Sequence, residues 1–160
     1  MDSTAPQQDD PVMTRIGEAV QLGHAGDAAG ARRRFAEIWE DVGAGGDPLH
    51  RCALAHYAAD VQEDPDEELR WDRLALAAAD ELGDGRARAF HPALDVTAFY
   101  PSLHLNLADV LRRLGDAAQA GHHLQQARAA VGRLPDDGYG QMIRSGVERC
   151  AARLEAGDAS

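Results

Sequence analysis

Gly26-Asp27-Ala28-Ala29-Gly30-Ala31 and, 89 residues further on, Gly115-Asp116-Ala117-Ala118-Gln119-Ala120 are two versions of one stretch. The correspondence runs outward from each without a gap. Upstream, Ala19 matches Ala108 and Leu22 matches Leu111; downstream, Phe35 matches Leu124, Ile38 matches Ala127 and Val42 matches Val131. Apolar residues before each Gly-Asp fall at helical spacing, and glycine suits the left-handed residue that ends a helix. The aspartate then accepts from the free N–H groups of a second helix. In that helix Ala31, Phe35, Ile38 and Val42 recur at i, i+4, i+7 and i+11, the buried stripe of an amphipathic helix. Ala120, Leu124, Ala127, Val131 and Leu134 repeat it. Each stretch therefore predicts two antiparallel helices joined by a very tight turn.

A degenerate version lies between them. Leu54, Tyr57 and Val61 make one stripe, Asp64-Pro65-Asp66 takes the turn, and Trp71, Leu74, Ala75, Ala78 and Leu82 make the next. Pro65 suits the first turn of a helix. Aromatic residues are 5% of the chain, alanine is abundant, and alternating β-branched runs are missing, so a sheet is not expected.

These features resemble the tetratricopeptide repeat, a helix-pair unit of 34 residues. Residues 101–134 carry its pattern with Asn106-Leu107-Ala108, Leu111, Gly115-Asp116, Ala120, Leu124 and Ala127; residues 12–45 carry it with Ala19, Leu22, Gly26-Asp27, Ala31, Phe35 and Ile38. The resemblance implies an all-α fold, in which tetratricopeptide-like antiparallel helix pairs form a short right-handed α-solenoid. The expected organisation is an acidic, disordered tail over 1–11 and one helical domain over 12–157. Its pairs fall at about 12–45, 48–82 and 98–134, with an irregular insert at 83–97. A helix over 138–156 (Tyr139, Met142, Ile143, Val147, Cys150, Leu154) is expected to cap the array.

Composition narrows the function classes. Acidic residues number 27 against 16 basic, a formal net charge of −11, and every basic residue is arginine. That field repels phosphate, so nucleic acid is not an expected partner. No apolar run approaches the roughly 18 residues of a membrane span. The first eleven residues are polar and acidic, unlike a leader peptide, so a cytoplasmic setting is expected. The arginine and alanine bias fits a bacterial chain encoded at high G+C content, of the actinobacterial type.

Catalytic motifs are missing. There is no Gly-x-Ser-x-Gly, no phosphate-loop lysine, no His-Glu-x-x-His and no Cys-x-x-Cys. Cys52 and Cys150 read as buried free thiols. His122 and His123 are adjacent, and so point about 100° apart on a helix. His104 reads as a packing residue. The expectation is a non-enzymatic chain without metal or cofactor.

The resemblance implies binding instead, on a groove lined by the first helix of each pair. Its candidate residues are Ile16, Val20 and His24 in the first unit, then His56, Tyr57 and Asp60, then Leu105, Asp109, Arg112 and Arg113. Asn106 stands where the carboxylate-binding subset of the family carries asparagine, but that subset also uses lysines. The expected partner is a protein or peptide segment, with self-association to a homodimer through the same surface. The alternative is a small-molecule or metal pocket between the stretch 83–100, with His91, Asp95 and Tyr100, and the second pair, with His56 and Asp60.

Overall fold

The computed structural model describes residues 10–90 and 100–160, with side chains for 10–82 and 100–160. Among them the fold is all-α. The helices are α1 Pro11–His24, α2 Ala28–Val42, α3 Pro48–Asp60, α4 Pro65–Phe90, α5 Tyr100–Arg113, α6 Ala117–Ala130 and α7 Gly138–Glu155. A 3₁₀ turn at Val131–Arg133 leads from α6 towards α7. The helices pack as consecutive pairs, α1 on α2, α3 on α4 and α5 on α6; α2 meets α3, α4 meets α5, and α7 lies on both α5 and α6.

The Gly-Asp turns explain the pairing. Gly26 and Gly115 have φ of 94° and 85°, which only glycine adopts without strain. The next N–H reaches back into the preceding helix, Asp27 N to Leu22 O at 3.0 Å and Asp116 N to Leu111 O at 2.9 Å. The same aspartates then cap the following helix, accepting from Gly30 N at 2.8 Å and Gln119 N at 3.1 Å. One dipeptide thus closes one helix and opens the next.

A third copy sits at the end of α7. Gly157 has φ 69°, and Asp158 N donates to Arg153 O at 3.0 Å, the same turn in Gly157-Asp158-Ala159. The helix expected as a cap thus lies where expected, but ends like the first helix of a pair. Gly146 lets it approach α5 closely, since a Cβ there would come within 2.8 Å of Leu105 Cδ2.

Two boundaries differ from expectation. Asp10 and Pro11 belong to the fold and not to a tail: Asp10 Oδ1 caps α1 at Val12 N and Met13 N, and Oδ2 meets His50 Nε2 of α3 at 2.7 Å. Residues 83–90, expected to be irregular, continue α4 to Phe90. Two glycines cost a helix roughly 1 kcal/mol each, and the Arg-Ala-Arg-Ala-Phe run between them and Pro92 favours continuing it. The main core lies under the first two pairs, with Phe35, Ile38, Leu54 and Trp71 buried and Trp39 edge-on to Trp71 at 5.4 Å. A second cluster joins α5, α6 and α7 through Leu124, Ile143, Val147 and Cys150. Both cysteines are free and buried, as expected. No helix among the described residues is long and apolar enough to cross a membrane.

Candidate functional site

Successive first helices come together on one side, and α7 joins them. On α3, Leu49, Cys52, Ala53 and His56 fall at i, i+3, i+4 and i+7, so one helix face presents them all. With Tyr57, and with Met13 of α1, Ser102 and Leu103 of α5 and Tyr139 of α7, they wall a mostly apolar recess of about 360 Å³. Tyr57 and Tyr139 are 39% and 42% exposed, and Met142, one turn beyond Tyr139, is 57% exposed. Three of the four large exposed apolar residues among those described thus lie on or beside this recess.

Further along α7 and α5 the surface is charged. Tyr139, Met142, Gly146, Arg149 and Arg153 follow one face of α7, and the last three join Leu105, Asn106, Asp109 and Cys150 around a second hollow of about 250 Å³. Arg113 holds both oxygens of Glu68, at 2.7 and 2.8 Å, and Asp109 at 3.1 Å. Asp60, one turn past His56, stands exposed and makes no hydrogen bond or ion pair among the described residues. Burial nevertheless lifts its carboxyl, against the pull of His56 and His24.

The charge of Asp60 also acts on Asp72 of α4, which is 1% exposed, with neither carboxylate oxygen hydrogen-bonded. Burial, reinforced by the negative charges of Glu68, Asp60 and Asp109 and opposed by Arg113, pushes its pKa up to about 8. His56 Nδ1 is likewise buried without a partner, and desolvation lowers that ring's pKa.

The residues expected to line the groove divide. His56 and Tyr57 wall the recess, and Asp60 borders it. Ile16 does not, being 1% exposed in the core; Met13, in the first turn of α1, takes its place. Val20 packs partly buried against the core, while His24 is exposed near Asp60. Leu105, Asn106 and Asp109 line the second hollow. Arg112 is no groove residue: it is 3% exposed and donates to Asp158 O, Ser160 O and Asp109. Arg113 is taken up by Glu68 and Asp109.

The alternative pocket does not assemble from its described members. Tyr100 donates to Asp80 at 2.8 Å and stacks on His104, in a separate hollow bounded by Gln126, Ala129, Ala130 and Arg133. His56 and Asp60 are on the groove. His91 and Asp95 lie outside the described residues. His104 packs against His123, their Nδ1 atoms 3.0 Å apart. No group of three His, Cys, Asp or Glu side chains among the described residues is arranged to hold a metal ion.

Sequence reasoning missed Asp72 and most of the recess wall. Asp72, Ala75, Ala79 and Leu82 stand at i, i+3, i+7 and i+10, a stripe in which the acid is the odd member; that spacing was the available signal. Comparison with family models, with curated proteins and with solved structures finds no match for this chain.

Proposed function

We propose that this protein is a non-enzymatic interaction module of the tetratricopeptide-repeat type, binding a segment of a partner protein on the face shared by α1, α3, α5 and α7. The observation carrying this reading is the apolar recess itself: it takes walls from the first helix of all three pairs and from α7, exposed Tyr57 and Tyr139 line it, and exposed Met142 follows Tyr139 by three residues on α7. Water-exposed aromatic and methionine side chains around a concave apolar floor suit a protein ligand. Two features favour binding over catalysis. The Cys52 thiol in the recess is pushed up to about 11 by burial, so it is protonated and a poor nucleophile at neutral pH. Desolvation lowers the pKa of the adjacent His56, against the pull of Asp60, and its buried Nδ1 has no hydrogen-bond partner to orient the ring.

The test is selection from a displayed random dodecapeptide library, repeated on a Tyr57→Ser, Tyr139→Ser double variant. Both side chains are solvent-facing, so the fold should survive, as circular dichroism would verify. Selected peptides are expected to lose about tenfold or more in affinity for the variant. Peptides that bind both proteins equally, or a selection yielding none, would sink the reading.

A further inference from the structure

The same face also indicates what kind of segment it takes. Of the polar groups around the groove, most are satisfied: Glu68 and Asp109 by Arg113, and Asp109 also by Arg112. Arg149 and Arg153 make no ion pair among the described residues, but both are exposed, where water serves a guanidinium without penalty. Asp72 is different. Its two oxygens are out of water, no donor reaches them, and the charged groups nearest it are Glu68, Asp60, Arg113 and Asp109. A buried carboxyl lacking donors costs free energy that a positive charge nearby would offset. Of these groups Asp60 is exposed, makes no hydrogen bond or ion pair among the described residues, and stands one helical turn from the recess wall at His56.

We propose that the groove selects a basic segment, with one large apolar side chain seated in the recess and a lysine or arginine set against Asp60, whose charge is felt by Asp72. This rests on the peptide-binding reading above and narrows it to one ligand chemistry. Spacing supports it. Asp60 follows His56 by four residues and Tyr57 by three, about 6 and about 4.5 Å along the helix, so anchor and cation would stand within a few residues of each other on the ligand. The chain's net charge of −11 would steer such a segment inward at low ionic strength. A cation that offsets the charge of Asp60 also favours the ionised form of Asp72. Binding near neutral pH should therefore release a proton.

The library selection tests this directly. Peptides retained by the wild-type protein and lost by the Tyr57→Ser, Tyr139→Ser variant should carry lysine or arginine within about four positions of a large apolar residue. For one such synthetic dodecapeptide, Asp60→Asn should weaken binding roughly three- to tenfold. Calorimetry in two buffers of different ionisation enthalpy should show proton release that Asp72→Asn abolishes while leaving binding in place. Groove-dependent peptides that are acidic or uncharged, or an affinity indifferent to Asp60→Asn, would overturn this inference and leave the peptide-binding reading standing. A selection yielding no groove-dependent peptide would overturn both.

Discussion

Among the described residues two ionisable side chains lie deep in the molecule, and they are treated in opposite ways. Arg112 is 3% exposed and is met by Asp109 at 2.9 Å, by Ser160 O at 3.0 Å and by Asp158 O. Asp72 is 1% exposed and is met by nothing. The difference separates a fastening from a vacancy. Arg112 sits in the last turn of α5 and reaches the backbone just beyond the Gly157-Asp158 turn, so it ties α5 to the end of α7. Asp72 holds no two elements together, and its burial weakens the fold whenever it is charged.

If that contrast is right, removing the fastening is the largest single loss. Arg112→Met keeps the length of the stem and deletes the guanidinium. It strips Asp109 of one of its two arginines and frees the backbone around Asp158. Urea unfolding at pH 7 should show about 2–4 kcal/mol of lost stability, with increased protease sensitivity at the C-terminal end of α7. A loss under about 0.5 kcal/mol, the range of ordinary surface changes, would mean that Arg112 is merely covered by neighbours.

Asp72 should behave in the reverse sense. Its carboxyl titrates near 3.8 when unfolded and at about 8 when folded. Between those values the folded state binds the extra proton, so stability falls as pH rises, by at most about 1.4 kcal/mol per pH unit. Below about pH 4 both states are protonated, and above about 8 both are ionised with the cost fully present. Asp72→Asn removes that slope, and should stabilise the protein by roughly 1–3 kcal/mol at pH 8 with little effect at pH 4.5. Parallel pH profiles for the two proteins would show that a donor reaches Asp72 after all.

The contrast also marks what could be read beforehand. The Gly26-Asp27 and Gly115-Asp116 turns were legible because their chemistry is local: a left-handed glycine and a capping carboxylate need only their own neighbours. Gly157-Asp158 carries the same signal, at the end of a helix whose apolar stripe alone reads as a terminal cap. The groove was half legible. His56, Tyr57 and Asp60 follow from one helix face, but Met13, Ser102, Leu103 and Tyr139 reach it through packing between helices that periodicity does not set. Ile16 and Arg112 were misplaced for that reason, since a helical stripe shows which residues share a face and not how deep the neighbouring helix sits. Asp72 is the harder case. Its spacing placed it inward, and only tertiary contacts could reveal that no donor accompanies it.

Between the fastened arginine and the orphan acid stands a pair that satisfies itself. His104 of α5 and His123 of α6 bring their Nδ1 atoms to 3.0 Å with ring centroids 5.2 Å apart. The rings thus meet end to end, one N–H donating to the other's lone pair. A proton on both facing nitrogens would leave two donors and no acceptor. Burial first, then His104, His122 and Arg73, push His123 down to about 4; burial also lowers His104, against the attraction of Asp80. The sign is opposite to that of Asp72. Between the ordinary 6.5 and about 4 the unfolded chain binds a proton that the folded His123 refuses, so stability falls as pH falls through that window. His123→Gln can still hydrogen-bond to His104 but does not titrate. It should flatten the acid limb of the stability profile by about 1 kcal/mol or less, since the ring is partly solvated. Urea midpoints at pH 7, 5.5 and 4.5 would read it. If the variant and the wild type decline together on the acid side, the pair is not what sets that limb.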